Sequence, residues 1–178
     1  MEDGIMVKIR SAVPDDAKRL LEIYAYYVVH TAISFEYDVP SEDEFRSRIR
    51  NTLQKYPYLV LEEDGIIQGY AYAGLFKVRA AYARSCEVSI YVDRNAHRKG
   101  YGSMLYEALE EVLKKQGILN MYVVIAYPVV EDEYLTKDSE KFHRHVGFNL
   151  VGEFHKCACK FGRWYNMIMM EKIIGEHI

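Results

Sequence analysis

Two glycines spaced one residue apart, with two cations just before them, form the part of this chain best suited to chemistry. A β-branched run ends at Val92, Gly100 and Gly102 follow within the sequence HRKGYG, and an amphipathic helix begins at once. The free N–H groups and positive dipole end of a helix N-terminus attract anions, and Arg98 and Lys99 add formal charge. The segment therefore predicts a phosphate-binding turn between a strand and a helix.

One carboxylate, Glu87, lies on the strand that leads into this turn. Alternate side chains of a strand share a face, so Glu87 is expected on a polar face with Ser89 and Tyr91, opposite an apolar face. A carboxylate that is partly desolvated there has a raised pKa, which suits a general base. The alternative is a solvated glutamate on the surface of the sheet, where most such residues lie.

Two further cations, Lys77 and Arg79, are two residues apart in FKVR. On a strand they would share a face. Two cations facing a cleft suit a carboxylate or phosphinate, which an arginine can bind with two parallel hydrogen bonds. The alternative is an exposed pair in a loop.

Length, composition and charge narrow the class of protein. A chain of 178 residues, half of them hydrophobic, predicts one domain over residues 1–178 with a real core. The net charge of −3 gives no indication of a nucleic-acid partner. Neither a membrane-spanning run nor a secretory signal is visible, and three cysteines cannot all pair with one another, so we expect a reducing cytoplasm.

The hydrophobic pattern predicts an α/β domain with the order β-α-α-β-β-β-α-β-α-β-β. Strands are predicted over Met6–Ala12, Tyr58–Glu63, Ile66–Leu75, Ser85–Val92, Tyr122–Ala126, Asn149–Phe154 and Trp164–Lys172. Helices are predicted from Pro14, after a Ser41 cap, over Gly102–Gln116 and over Ser139–Val146. A parallel pair of strands is expected on either side of the helix that follows the glycine turn.

The turn, the helix and strand after it, and the later FHRHVGF resemble the GNAT superfamily of acetyl-CoA-dependent N-acetyltransferases, over nearly the whole chain. The superfamily's turn usually reads Gln/Arg-x-x-Gly-x-Gly/Ala, and here it reads His97-Arg98-Lys99-Gly100-Tyr101-Gly102. His97 stands where Gln or Arg is usual. The resemblance implies a mixed, mostly antiparallel central sheet with helices on both faces, acetyl-CoA as co-substrate, and no metal.

Five blocks look like the phosphinothricin acetyltransferase branch of that superfamily. They are TAISFEYD at 31–38, FKVRAAY at 76–82, CEVSIYV at 86–92, SEKFHRHVGF at 139–148 and KFGRWYN at 160–166. This likeness implies transfer of acetyl to the α-amine of a small amino acid or analogue, of the phosphinothricin, methionine sulfone or methionine sulfoximine type. It also implies a homodimer that acts on a small-molecule amine.

The resemblance assigns roles to residues on both substrates. It implies a general base at Glu87, and acceptor binding by Phe35, Glu36, Lys77 and Arg79, with Phe35 as a core residue being the alternative. It implies contacts with CoA from Ile90, Tyr91, Val92, the turn at 97–102, Thr136 and Ser139. Thr136 stands where the branch usually has Asn, after a stretch, VVEDEYLTKD, that is longer and more acidic than usual.

His143 lies four residues before Gly147, where the superfamily usually has a tyrosine that acts as an acid. Since histidine titrates near neutrality, His143 is a candidate proton donor to the departing CoA thiolate. The alternative is a helix histidine that bonds the cofactor or a backbone carbonyl.

Other readings of the sequence stay open. A non-catalytic acyl-CoA-binding module and an N-acetyltransferase of proteins or peptides both fit the glycine turn. Cys157 and Cys159, near His155, lack a second Cys/His pair at zinc-finger spacing, so free thiols are expected there. His143 and His145 are expected on different faces of their helix, which argues against joint metal binding.

Overall fold

The computed structural model describes residues 6–178. Its strands are β1 (Val7–Ser11), β2 (Tyr58–Glu63), β3 (Ile66–Leu75), β4 (Ser85–Val92), β5 (Asn120–Tyr127), β6 (Asn149–Lys160) and β7 (Arg163–Ile173). Its α-helices are α1 (Ala17–His30), α2 (Glu42–Leu53), α3 (Tyr101–Lys115) and α4 (Asp138–His145). Single 3₁₀ turns at Pro14–Asp16, Ala80–Tyr82 and Arg94–Ala96 complete the regular structure of this range.

The seven strands form one sheet in the order β1-β2-β3-β4-β5-β7-β6. The pairs β1–β2, β2–β3, β5–β7 and β6–β7 are antiparallel. The pair β4–β5 is parallel, with Ser85, Cys86 and Glu87 opposite residues 120–122. The predicted mixed, mostly antiparallel sheet is therefore confirmed, as is the parallel pair on either side of α3.

The chain divides into two compact units. The first comprises residues 6–24, Pro40–Gly74 and Val88–Gln116, and its core includes the fully buried Leu20, Ile49, Leu61, Leu105 and Leu109. The second comprises Ala25–Val39, Leu75–Glu87 and Gly117–Ile178, with Val28, Met121, Ile168 and Met170 fully buried. Among the described residues, no helix combines the length and apolar character that crossing a bilayer requires.

A local signal fixes the start of α2. The Ser41 hydroxyl accepts a hydrogen bond of 3.1 Å from the Glu44 N–H, which confirms the predicted cap of α2. The Glu44 carboxylate forms an ion pair with Arg48 one turn later. Although α2 is polar overall, it buries Phe45 and Ile49, which attach it to the first unit.

The predicted elements all exist, and the largest error in their bounds concerns β6. This strand was predicted to end at Phe154, yet it continues to Lys160. Its pairing with β7 is irregular between Phe154 and Ala158, and Lys156 has a positive φ of 45°. Such a bulge breaks the two-residue alternation on which strand prediction depends.

Candidate active site

Strand β4 holds the candidate base in the way that its alternation predicts. Cys86 and Val88 are 0% and 2% exposed on one face, whereas Glu87 and Ser89 are half-buried on the other. Burial raises the pKa of the Glu87 carboxyl, and the charge of Lys77 opposes that change. Because its pKa is raised, the Glu87 carboxylate takes up a proton more readily than a solvated glutamate does.

One aromatic residue that was not singled out as a site residue, Tyr122, pairs with Glu87 across the sheet, and a second, Phe76, stacks on Tyr122. Glu87 is opposite Tyr122 in the β4–β5 register, and the Tyr122 ring stacks on Phe76 with centroids 4.2 Å apart and planes 14° apart. The Lys77 Nζ lies 5.1 Å from the centre of the Phe76 ring. Phe76 is part of the FKVRAAY block, but only the sheet register brings Tyr122 next to Glu87.

Lys77 and Arg79 do not lie on a strand, so of the two interpretations the alternative, an exposed pair in a loop, is the one that the structure shows. Strand β3 ends at Leu75, and both cations are exposed in the loop before the 3₁₀ turn at Ala80–Tyr82. Arg79 is the residue that precedes this turn, with extended backbone at φ −75° and ψ 141°. The two cations therefore belong to a loop that leads into β4. Within this loop, Lys77 is close enough for its charge to act on Glu87.

The glycine turn belongs to the first unit and has the backbone that an anion site needs. Arg98 and Gly100 have positive φ values of 64° and 82°, and α3 begins at the next residue, Tyr101. Gly102 is the second residue of α3 rather than part of the turn. Because α3 has fifteen residues, its first turn presents N–H groups and a full dipole at this point.

The cations of the turn differ in their surroundings. Lys99 forms an ion pair of 3.0 Å with Glu63, which also accepts a hydrogen bond of 2.6 Å from the Tyr101 hydroxyl. The hydrogen bond from Tyr101 and, to a smaller extent, the contact with Lys99 lower the pKa of Glu63. Arg98 is exposed, and His97 is exposed with its Nε2 3.2 Å from the Val92 carbonyl oxygen. Thus Glu63 offsets the charge that Lys99 was predicted to add.

Strand residues 90–92 lead directly into this region. Ile90, Tyr91 and Val92 are all half-buried on β4, and the Tyr91 ring makes an edge contact with Tyr24 at 5.0 Å. The Asp93 carboxylate after the strand caps the following 3₁₀ turn and forms an ion pair of 2.7 Å with Arg19. These contacts fix the path of the chain from β4 into the turn.

His143 is a buried residue of α4 in the second unit, and it is 3% exposed. Its Nδ1 lies 2.7 Å from the Ser139 carbonyl oxygen, so the Nδ1–H donates to that carbonyl. Burial lowers the pKa of His143 to about 4, and the bond to Ser139 opposes the change. The neutral ring with its hydrogen on Nδ1 has a lone pair at Nε2, which suits an acceptor better than a proton donor at pH 7. His145 on the same helix is exposed, which confirms that the two histidines lie on different faces.

Thr136 and Ser139 lie at the start of α4. Thr136 is exposed and its hydroxyl accepts a hydrogen bond of 3.4 Å from the Asp138 N–H. Ser139 is the second residue of the helix, and its carbonyl is the partner of His143. Ser139 thus lies in the first turn of a short helix, and Thr136 lies two residues before the helix begins.

Phe35 and Glu36 follow α1 in an irregular segment of the second unit, as predicted. The Phe35 ring is half-buried against a cluster formed by Ala32, Ala126, Leu135 and Tyr165, with its centroid 6.5 Å from that of Tyr165. The Glu36 N–H donates to the Ser34 hydroxyl at 3.2 Å. Phe35 therefore packs in a core cluster, which its alternative interpretation described, and still borders the segment that carries Glu36.

The cysteines are not among the candidate site residues. Cys86 is buried, Cys157 exposed and Cys159 half-buried, and all three are unpaired. Within residues 6–178, no three His, Cys, Asp or Glu side chains are grouped so as to hold a metal ion.

Comparison with known proteins places this architecture in a family. A family model described as an acetyltransferase (GNAT) domain matches residues 9–169. The phosphinothricin N-acetyltransferase of Streptomyces coelicolor is 30% identical over 93% of this chain and 95% of its own length. The L-methionine sulfoximine/L-methionine sulfone acetyltransferase of Salmonella typhimurium is 29% identical, covering 95% of each chain.

Solved structures agree with the sequence relatives. A GNAT superfamily phosphinothricin acetyltransferase from Sinorhizobium meliloti, in complex with acetyl-CoA, superposes with a TM-score of 0.85 at 33% identity, over 95% of this chain and 89% of its own. The family model alone spans most of the chain, from β1 to β7. This chain belongs to the GNAT acetyltransferase family.

Proposed function

We propose that this protein transfers an acetyl group from acetyl-CoA to the α-amine of a small amino acid or amino-acid analogue. The observation that carries the proposal is Glu87, a half-buried carboxylate with a raised pKa on the strand that runs into the glycine turn. The names of the relatives, phosphinothricin and methionine sulfoximine/sulfone acetyltransferases, support the choice of acceptor class.

Glu87 acts as the general base. An alkylammonium group must lose a proton before its nitrogen can attack a thioester, and a base close to it, directly or through one water, removes that proton. Burial raises the pKa of Glu87 towards the range where a carboxylate accepts a proton efficiently. The new C–N bond forms at the acetyl carbonyl carbon, the C–S bond breaks, and the proton from the amine passes to Glu87 or a water beside it.

Acetyl-CoA is the co-substrate that supplies the acetyl group. Its diphosphate would meet the N-terminus of α3, where Gly100 takes the left-handed conformation that lets the chain turn into the helix. His97, Arg98, Lys99, Tyr101 and Gly102 are the other CoA-binding residues of this turn. In the second unit, Thr136 and Ser139 are the CoA-binding residues. Backbone groups of Ile90–Val92 hold the thioester.

The acidic group of the acceptor binds Arg79, with Lys77 beside it. Both cations are exposed in the loop before β4, so each is able to meet a substrate carboxylate or phosphinate. Lys77 also acts on Glu87, where its positive charge limits the rise in pKa. Phe35 and Glu36 bound the acceptor from the segment after α1.

His143 does not act as an acid. Its ring supports α4 through the bond to Ser139, and its Nε2 is a hydrogen-bond acceptor. A neutral imidazole that donates its Nδ1–H to Ser139 has no hydrogen at Nε2 to give. Because a thiolate is a good leaving group, the departing CoA sulfur takes its proton from solvent.

The chain acts as one domain and assembles as a homodimer in the cytoplasm. Leu150, Val151, Phe154 and Trp164 on the β6–β7 hairpin are 45%, 52%, 51% and 62% exposed, which gives this hairpin apolar surface for a second copy to cover. The three unpaired cysteines suit a reducing compartment. Light scattering after size exclusion measures the mass of the assembly.

A thiol-release assay with acetyl-CoA tests the proposed activity. The acceptors are phosphinothricin, methionine sulfone, methionine sulfoximine, ordinary amino acids and short peptides. We expect release with at least one small acceptor and a product acetylated on the α-amine, identified by mass spectrometry. Binding of acetyl-CoA without release for any acceptor would identify a binding module, and release with peptides alone would identify a peptide N-acetyltransferase.

A further inference from the structure

Lys160, at the end of β6, is a buried lysine whose ammonium donates hydrogen bonds to three backbone carbonyls and lies 5.2 Å from the centre of the Phe161 ring. It is 3% exposed, and its Nζ lies 2.7 Å from the Val28 oxygen, 2.9 Å from that of Thr31 and 2.6 Å from that of Ser34. An ammonium has three N–H donors and no acceptor, so this geometry uses all three. Burial lowers the pKa of Lys160, and the charge of Glu36 opposes that change.

The three carbonyls belong to the end of α1 and to the segment after it. Carbonyls in the last turn of a helix have no partner within the helix, and here Tyr27 accepts from the Thr31 hydroxyl while Val28 accepts from Lys160. Thr31 and Ser34 lie beyond the helix, where no regular structure fixes their carbonyls. Three carbonyl dipoles that point at one spot repel one another unless a cation lies between them. The path of residues 31–34 therefore depends on the ammonium.

This segment leads directly into Phe35 and Glu36. The Glu36 N–H donates to the Ser34 hydroxyl at 3.2 Å, so the position of Ser34 fixes the position of the Glu36 backbone nitrogen. The Phe35 ring packs 6.5 Å from Tyr165, which lies on β7, the partner strand of β6. A change in the segment at Ser34 would be passed on to both side chains.

The anchor itself lies in a paired part of the β6–β7 hairpin. Lys160 pairs with Arg163 at the tight end of the β6–β7 hairpin, and the neighbouring Cys159 carbonyl accepts a hydrogen bond from the Tyr37 hydroxyl. The end of β6 thus holds the segment on both sides of Phe35 and Glu36, at Ser34 through Lys160 and at Tyr37 through Cys159.

We propose that Lys160 is a positioning residue for the acceptor: its ammonium, by binding the carbonyls of Val28, Thr31 and Ser34, holds Phe35 and Glu36 in the arrangement that receives the amine substrate. This rests on the proposed function, because it assigns these two residues to acceptor binding. Lys160 touches neither substrate and acts through the segment that it holds.

Two variants with a matched control test the proposal. Lys160→Met removes the ammonium and keeps an unbranched apolar stem, and Lys160→Gln keeps two N–H donors without charge. Lys156→Met replaces an exposed lysine on the same strand and serves as the control.

Hydrogen exchange of the backbone reports the hold on the segment without any need for activity. The amides of Ala32, Ile33 and Glu36 donate to Tyr134, Thr31 and Ser34 respectively, and we expect them to exchange at least ten-fold faster in Lys160→Met than in the control. The Ala73 amide, which donates to Pro57, should be unchanged. Equal protection of the three segment amides in both proteins would overturn the proposal.

Steady-state kinetics then separate positioning from general stability. We expect Lys160→Met to raise the acceptor KM at least ten-fold, with the acetyl-CoA KM within two-fold of that of the control. An unchanged acceptor KM, or an equal rise in both constants, would leave Lys160 a purely structural residue and overturn the proposal. If Lys160→Met does not fold, Lys160→Gln is held to the same two criteria.

The two proposals fail in distinguishable ways. If the wild-type protein releases no thiol with any acceptor, the proposed function fails, and a role in acceptor binding fails with it. If the wild type is active and the Lys160 variants bind acceptor normally, only the positioning role fails.

Discussion

Replacement of the buried His143 by asparagine is expected to change how the stability of this protein depends on pH. His143 is 3% exposed with a folded-state pKa of about 4, against 6.5 for a solvated histidine. Between these values the unfolded chain binds a proton that the folded chain does not. The contribution of His143 to the free energy of unfolding is therefore complete above pH 6.5. It is lost progressively as the pH falls towards 4.

The size of this effect follows from the two pKa values. The difference of about 2.5 pH units, at roughly 1.4 kcal/mol each, gives on the order of 3 kcal/mol at most. Asparagine carries an amide N–H near the position of Nδ1, so His143→Asn keeps a donor for the Ser139 carbonyl while removing the titration. The variant will lose stability at pH 7 because a smaller side chain leaves a cavity, but its loss between pH 6.5 and 4 should be smaller than that of the wild type.

Urea unfolding followed by circular dichroism, at fixed protein concentration and several pH values between 7 and 4, measures the difference. Carboxylates titrate in the same range, so the informative quantity is wild type minus variant at each pH. His145→Asn, an exposed position on the same helix, is the control for removing an imidazole from α4. If wild type and His143→Asn lose stability in parallel as pH falls, the neutral buried imidazole is refuted, and His143 regains its candidacy as an acid.

Two further variants test the two substrate sides separately. Gly102→Val places a β-branched side chain in the first turn of α3, where it should obstruct the approach of the CoA diphosphate and raise the acetyl-CoA KM at least ten-fold; an unchanged KM in a folded variant would remove the phosphate from this turn. Arg79→Ala should raise the acceptor KM about ten-fold and leave the acetyl-CoA KM near normal, because one charge-assisted pair at an exposed position is lost. The exposed Arg84→Ala, in the same loop, is its control, and a rise in the acetyl-CoA KM alone would assign Arg79 to the other substrate.

Strong local signals explain why much of the fold was predictable. The bounds of β2, β3 and β4 agree with the prediction because a Glu-Asp-Gly turn separates the first two, and because β4 alternates cleanly between an apolar and a polar face. The Ser41 cap likewise marks the start of α2 within one residue. Each of these signals lies within a few neighbouring residues.

The features that prediction missed depend on contacts between distant residues. The end of β3 at Leu75 was predicted, but the charge interaction of Lys77 with Glu87 depends on how the following loop folds back towards β4. The Phe76–Tyr122 stack and the contacts of Lys160 join residues that are 46 and more than 120 positions apart. The burial of His143, which decides its charge state, likewise depends on packing against Phe148 and on no pattern within its own helix.

The role of Glu87 as general base is tested most directly by Glu87→Gln, which keeps the shape of the side chain and removes its basicity. With acetyl-CoA and a productive acceptor, we expect kcat to fall by roughly 10²- to 10⁴-fold, the range for a positioned acid–base group. Because burial raises the pKa of Glu87, the acidic limb of the kcat/KM profile should lie above the pH of an ordinary carboxylate in the wild type and flatten in the variant. Glu107→Gln, at an exposed site on α3, controls for the loss of a carboxylate. A Glu87→Gln variant within a few-fold of wild type, with the same acidic limb, would contradict this role and place the base elsewhere.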